Sequence, residues 1–330
     1  MTPEQLLQKD NVRKASPTAR NGGTGDKAKS HLVRDIVIRI AGNSQDGIQS
    51  VGEFLSRHTG RSQLGVLTFQ TFPATISGGP SIFQLRIGTG KVRSPGDDVD
   101  MLIAFYQHSY QHHIPYLREG GVLLYDSDHV EPAVHDQRYR QIPVPISSLT
   151  IEAIGGNAKS KGKNLFLLGL LARALGFETE ELEGQIRQKF SSKGDDVLKP
   201  ALQAFQAGYG YDLGDLTFYL EKNKERAKTQ VTSNGNQSLV LGAIAAGVRF
   251  GAGYPITPWS TSMELLRQEL PKYGGMFVQA EDELSAISMA VGASIADRVS
   301  ITGSSGPGLA LKSEVLGYAV MAEIGLVIVD

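Results

Sequence analysis

Residues 35–55 read DIVIRIAGNSQDGIQSVGEFL and change character twice. The first six alternate and are rich in β-branched side chains, which predicts a strand. Ala41 to Gly47 carry the small and polar residues of a turn. After it Ile48, Val51, Phe54 and Leu55 fall on one face of a helix. A strand, a glycine-containing loop and a helix open a βαβ unit, so an α/β fold is expected.

The pattern extends downstream. Residues 64–72, 81–87, 100–106 and 122–126 are strand-like, and 107–118 should cross over as a helix stopped by Gly120 and Gly121. Two further helical stretches cover 164–175 and 178–190. We therefore expect one α/β domain over residues 31–191, preceded by a polar, flexible tail at 1–30. Residues 192–230 mix Ser, Gly, Lys and Asp, with a short helical stretch near 216–226, and are expected to be a linker. A second βα pattern begins at about Leu239, giving a domain over 231–330. Its last residues, 325–330, read as a buried strand. Because parallel strands normally run on into a crossover, this domain is expected to be incomplete at its C-terminus.

Composition narrows the function. Among 330 residues, 33 Lys and Arg face 34 Asp and Glu, a net charge of −1, which argues against a nucleic-acid or membrane-surface binder. Apolar residues make up 41%, enough for a large core. Apolar runs such as 165–172 fall far short of the roughly 20 residues that span a bilayer. The polar N-terminus has no signal-peptide core, so a soluble, cytoplasmic protein is expected. Cysteine is absent, which excludes disulfides, cysteine-ligated clusters and a thiol nucleophile on this chain.

Several motifs fail on inspection. GNAKSKGK at 156–163 has the wrong glycine spacing for a P-loop, and Asn164 follows its lysine where a hydroxyl is needed. Gly251 and Gly253 begin a dinucleotide fingerprint that Ile256 breaks, which removes an ordinary dehydrogenase. His108 and His112 could share a helix face, but a metal would need further ligands. Gly303-Ser304-Ser305-Gly306-Pro307 is not a hydrolase elbow.

Three stretches carry the chemistry. In Gly253-Tyr254-Pro255-Ile256-Thr257-Pro258-Trp259-Ser260 two prolines stiffen the backbone and fix the Thr257 hydroxyl, ahead of a helix start at 261–264. Glu281-Asp282-Glu283 heads a small-residue helix, and Glu283 shares a stripe with Ala286, Ile287, Ala290 and Val291. It should therefore point inward, and a buried, unpaired carboxylate is a candidate functional group. Residues 302–308, Thr-Gly-Ser-Ser-Gly-Pro-Gly, allow close backbone approach to a ligand. Each stretch also has a plainer reading, as a turn or a charged helix end.

Taken in order, the Tyr-Pro-Ile-Thr-Pro, Glu-Asp-Glu and Ser-Gly-Pro-Gly stretches resemble the α-subunit of 2-oxoacid:ferredoxin oxidoreductases. The preceding domain resembles that family's γ domain, through the Gly42–Gly47 loop and Ser77-Gly78-Gly79-Pro80-Ser81, although Asn43, Ser44 and Gln45 depart from its richer glycine pattern. The resemblance implies a γ-type domain fused ahead of a thiamine-diphosphate pyrimidine-binding domain. It implies that Glu283 faces N1′ of the aminopyrimidine, with Glu281 as the alternative, and that Thr257 lies near the substrate carboxyl group. Tyr254, Pro255 and Ile256 would complete the cofactor contact. The family's substrate-binding arginine is expected beyond residue 330.

The implied reaction is 2-oxo acid decarboxylation, or its reverse, with electrons passing to ferredoxin and the acyl group to coenzyme A. The ending Trp259-Ser260 resembles 2-oxoglutarate enzymes more than pyruvate or broad 2-oxo acid ones. Since this chain has no cysteine, a β-subunit is expected to hold the 4Fe-4S cluster together with Mg²⁺ and the diphosphate, in an (αβ)2 heterotetramer. A non-catalytic α/β scaffold is the alternative from another class. The polar tail at 1–30 predicts that its deletion leaves the fold intact. The melting temperature should shift by less than a few degrees, and a larger fall would show that it packs against the rest.

Overall fold

The computed structural model describes residues 31–71, 79–133, 136–155, 162–221 and 231–330. The chain forms two compact units, Met1–Lys228 and Thr229–Asp330. The tail at 1–30, Ser77 and Gly78, and residues 156–161 of the P-loop lookalike lie outside the described residues.

The first unit runs β1 (His31–Val33), β2 (Asp35–Asn43), α1 (Ile48–Arg61), β3 (Gly65–Gln70), β4 (Pro80–Gly88), β5 (Val99–Ala104), α2 (Gln107–His113), β6 (Leu117–Asp126) and β7 (Arg140–Val144). It continues through α3 (Ile146–Ile154), α4 (Lys163–Ala174), α5 (Thr179–Phe190), α6 (Asp195–Gly210) and β8 (Phe218–Leu220). The main sheet has the order β3-β4-β2-β5-β6-β7. Strands β2, β5, β6 and β7 are parallel, and β4 runs antiparallel to β2 and β3. Both faces of β2 are covered. Ile36, Ile38 and Ile40 enter the larger core with α1 and α4, while Val37 and Ala41 enter the smaller core beside α2. That two-sided burial is why the strand reads as a run of β-branched residues.

The loop after β2 is closed from within. Asp46 is buried, accepts from the Asn43 backbone N–H at 2.7 Å and from the Tyr106 hydroxyl at 2.7 Å. Burial and the Asp46 carboxylate push the Tyr106 phenol above its usual range. Residues 43–47 are thus held as a turn by a side chain, where richer glycine content would leave them open.

Several sequence expectations are corrected. Most of the expected linker is part of the first unit: α6 buries Ala201, Leu202, Ala204 and Phe205 in the main core. Its Ser-, Gly- and Asp-rich start hid the apolar stripe that follows. Within the helical stretch expected near 216–226, residues 218–220 are the strand β8, paired with β1. The crossover helix ends at His113, and Gly120 and Gly121 lie inside β6. Strand β7 and helix α3 carried no clear periodic signal. The segment around Leu239 is helix, capped by Asn234, whose side chain accepts from the Gln237 N–H at 2.9 Å.

Helices α4 and α6 approach so closely that Gly169 and Gly208, which face each other's helix, have no room for a side chain. A Cβ on Gly169 would collide with the backbone of Phe205 and Tyr209, and one on Gly208 with the backbone of Phe166. No helix among the described residues is long and apolar enough to cross a membrane. Replacing Gly169 by Val should cost about 1–3 kcal/mol or more in overpacking. At roughly 2–4 °C per kcal/mol in a unit of this size, thermal denaturation will register the loss, and an unchanged melting temperature would contradict the contact.

Candidate functional site

The second unit comprises α7 (Gly235–Ala245), β9 (Phe250–Gly253), α8 (Trp259–Glu269), β10 (Met276–Gln279), α9 (Glu283–Ile295), β11 (Ser300–Gly303), α10 (Gly308–Leu311), α11 (Ser313–Met321) and β12 (Val327–Val329). Its sheet has the order β10-β9-β11-β12 and is parallel throughout. The last residues of all its strands are in register: Gln279 pairs with Gly253, Gly253 with Gly303, and Gly303 with Val329. The three chemistry-bearing stretches therefore leave one edge of the sheet side by side. In open parallel sheets this carboxyl edge is where ligands bind. The final strand is half exposed and not the buried strand expected, with Val327 at 44%. It lies at the border of the sheet and pairs with β11 alone among the described strands.

Tryptophan 259 joins the first stretch to the third. Helix α8 begins at Trp259, two residues before the start at 261 that the sequence suggested. The indole is 3% exposed. A Cβ on Gly253 would lie 2.6 Å from its Nε1, and one on Gly303 would lie 2.5 Å from its ring. Both glycines are needed because the ring lies directly over their backbones.

Glutamate 283 joins the second stretch to the third. Asp282 caps α9, its side chain accepting from the Ser285 N–H at 2.7 Å, and that bond holds its carboxyl below the usual carboxylate range. Glu283 is the first helical residue and is 8% exposed, whereas Glu281 and Asp282 are exposed. The inward stripe is as expected: Ala286, Ile287, Ala290 and Val291 are buried below it. A Cβ on Gly308 would lie 2.9 Å from Glu283 Oε1 and would collide with Ser304 Oγ. The carboxylate and that hydroxyl thus border the same small space above Gly308.

Two buried polar atoms here have no hydrogen-bond partner among the described residues, Ser304 Oγ and Trp259 Nε1. Such orphans are rare in folded proteins and mark a place where a ligand group or water is expected. The Glu283 carboxylate has no ion pair among the described residues, and the residue is tied through its backbone instead. Lys312, wholly buried, donates from Nζ to the Glu283 backbone carbonyl at 3.0 Å and to Thr302 Oγ1 at 3.3 Å. Burial pushes its ammonium below the usual lysine range, and the carboxylates of Glu283 and Asp282 oppose that shift. Sequence reasoning passed over Lys312. Its one signal is a lone cation directly after the apolar run 309–311.

The remaining selected residues lie in the loop after β9. Tyr254, Pro255 and Thr257 are exposed, and Ile256 packs partly against the core below Trp259. The Thr257–Pro258 peptide is cis. The structure therefore gathers Glu283, Ser304, Gly308 and Lys312, and separately Trp259 with Gly253 and Gly303, along one edge.

Comparison with known proteins agrees with this division. Residues 37–211 match the family described as pyruvate ferredoxin/flavodoxin oxidoreductase. The chain belongs to that family. Residues 241–330 match the companion profile, pyruvate flavodoxin/ferredoxin oxidoreductase, thiamine diP-binding. The fold is thus an oxidoreductase-family α/β domain followed by an α/β domain of the thiamine-diphosphate-binding type. The chain is 30% identical to the 2-oxoglutarate oxidoreductase subunit KorA of Mycobacterium tuberculosis, over 96% of its own length and 53% of the relative's. It is 50% identical over 94 residues to the 2-oxoglutarate synthase subunit KorA of Archaeoglobus fulgidus, covering 28% of this chain and 27% of that one. A solved 2-oxoglutarate:ferredoxin oxidoreductase from Magnetococcus marinus, with 2-oxoglutarate, coenzyme A and succinyl-CoA bound, superposes with a TM-score of 0.74 at 34% identity. That match covers 90% of this chain and 52% of that one. The chain spans about half the length of the longer relatives it matches.

Gly308→Ala should drive Ser304 and the Glu283 carboxylate apart, at a cost of about 1–3 kcal/mol for overpacking. Denaturant unfolding will show the loss, and wild-type stability would mean that the space above Gly308 is not as tight as described.

Proposed function

We propose that the chain is part of an α-type subunit of a thiamine-diphosphate-dependent 2-oxoacid:ferredoxin oxidoreductase. Its substrate is 2-oxoglutarate, converted with coenzyme A to succinyl-CoA and CO2, or formed in the reverse reaction. The observation that carries this reading is the inward carboxylate of Glu283 on the carboxyl edge where three loops meet. The orphaned Ser304 Oγ, beside the Glu283 carboxylate at Gly308, is what a polar heterocycle bound there would require. The residues present therefore fit the pyrimidine half of the cofactor.

When bound, thiamine diphosphate supplies the carbon nucleophile for the 2-oxo group and accepts the electron pair left as CO2 departs. The chain's own residues act around it. With the cofactor bound, Glu283 would meet ring atom N1′ and share a proton with it, which is acid–base catalysis by a positioned carboxyl group. Tyr254, Pro255 and Ile256 border the pyrimidine, and Thr257 Oγ1 donates to the substrate carboxylate. Trp259 holds Gly253 and Gly303 level so that both loops start from fixed positions, and its indole keeps water away from the floor of the site.

A β-subunit completes the enzyme. Iron–sulfur clusters need thiolate ligands and these 330 residues include no cysteine, so the 4Fe-4S cluster lies outside them; the β-subunit is its proposed holder, together with Mg²⁺ and the diphosphate. Ferredoxin is the electron acceptor, the assembly is an (αβ)2 heterotetramer, and the enzyme is cytoplasmic. The names of the 2-oxoglutarate relatives support this substrate over pyruvate.

In the assembled enzyme, Glu283→Gln should retain the cofactor and lose about 10²–10⁴-fold in turnover, the usual cost of a positioned acid–base group. Wild-type turnover would remove Glu283 from the site. Thr257→Val removes one hydroxyl from a charged hydrogen bond of about 1.5–3 kcal/mol, so kcat/KM for 2-oxoglutarate should fall at least about tenfold. Ferredoxin reduction with 2-oxoglutarate and with pyruvate identifies the substrate. Reduction with neither, by a complex that holds its cluster and cofactor, would favour the scaffold reading.

A further inference from the structure

The buried lysine at the junction of α10 and α11 does more than a tie between helices requires. Lys312 is 0% exposed, and its two acceptors among the described residues, the Glu283 carbonyl and the Thr302 hydroxyl, are both neutral. A neutral donor would serve those two acceptors without the cost of burying an ammonium. The charged groups that act on it are Glu283 and Asp282, both at the start of α9. From β11 it meets only a hydroxyl, that of Thr302. Lys312 and Glu283 form no ion pair within 4.0 Å among the described residues, so the carboxylate stays free to face the space above Gly308. The ammonium touches the backbone of the residue whose side chain does the work.

Two positive sources therefore converge on one carboxyl group. The first turn of α9 presents the positive end of a helix of 13 residues, and Lys312 adds a full charge from beneath. In the low dielectric of a buried site such a charge acts across several ångströms.

We propose that Lys312 is a positioning residue for Glu283: it fixes the first turn of α9 through the Glu283 carbonyl and sets a buried positive charge beneath the carboxyl group that would meet the aminopyrimidine. This rests on the reading of the edge as a thiamine diphosphate site. No bond to the cofactor is made by Lys312 itself. Its effect passes through Glu283.

The test compares Lys312→Gln, Lys312→Met and Lys312→Arg in the chain assembled with its partner. Glu283→Gln serves as a parallel control. The readouts are thiamine diphosphate affinity and the pH profile of exchange of the cofactor's C2 proton with deuterated water. Gln keeps hydrogen-bond donors and loses the charge. With that buried charge lost beside the Glu283 carboxyl group, the profile of Lys312→Gln should move toward higher pH by about one unit. On the acid side this makes exchange roughly tenfold slower, with cofactor affinity nearly unchanged. Met should behave alike, and Arg should keep the wild-type profile. A wild-type profile in folded Lys312→Gln overturns the proposal. So does loss of assembly in both Gln and Met variants, which would make Lys312 a folding residue. Wild-type exchange in Glu283→Gln would instead overturn the reading of the site, whatever the lysine variants do.

Discussion

Parallel pairing makes strands end together, and in the second unit the pairing is in register across the whole sheet. Gln279, Gly253, Gly303 and Val329 form one row. Every loop that follows the row must start from the same edge, so residues 30 or 50 positions apart in sequence become neighbours. Tryptophan 259 then fixes the height of the first and third loops, since its ring occupies the room that side chains at Gly253 and Gly303 would need. The site depends on this row more than on any single hydrogen bond.

Electrostatics acts on that frame. A carboxylate at a helix start is ordinary when it faces water, as Asp282 does, and unusual when it faces inward. Glu283 is tolerated inside because the α9 amides and Lys312 supply positive potential close by. The unsatisfied Ser304 hydroxyl completes a polar lining that the chain alone does not use. A site built this way is arranged for a partner group that brings its own donors and acceptors.

Much of this was legible in the sequence, and the failures have physical causes. The strand, loop and helix of 35–55 were plain because burial on both faces of β2 leaves an unbroken β-branched run. The inward stripe of α9 followed from helical periodicity alone. Helix α6 is hidden in the sequence because its stripe, Ala201, Leu202, Ala204 and Phe205, follows a Ser-, Gly- and Asp-rich, loop-like opening. Leu239 was misplaced because an Ala- and Gly-rich helix has no amphipathic contrast, and its Asn234 cap carried the signal. Lys312 could not be found by pattern. Periodicity predicts which side chains turn inward, and a lysine is assigned to water until its partners in distant segments are known.

The central claim is that the carboxyl edge of the second unit receives the aminopyrimidine of thiamine diphosphate. A structure of the assembled complex with the cofactor bound tests it most directly. The account predicts N1′ within hydrogen-bonding distance of a Glu283 carboxylate oxygen, with the ring over Gly308 and close to Ser304. A pyrimidine ring placed elsewhere, with Glu283 facing only protein or water, would contradict it.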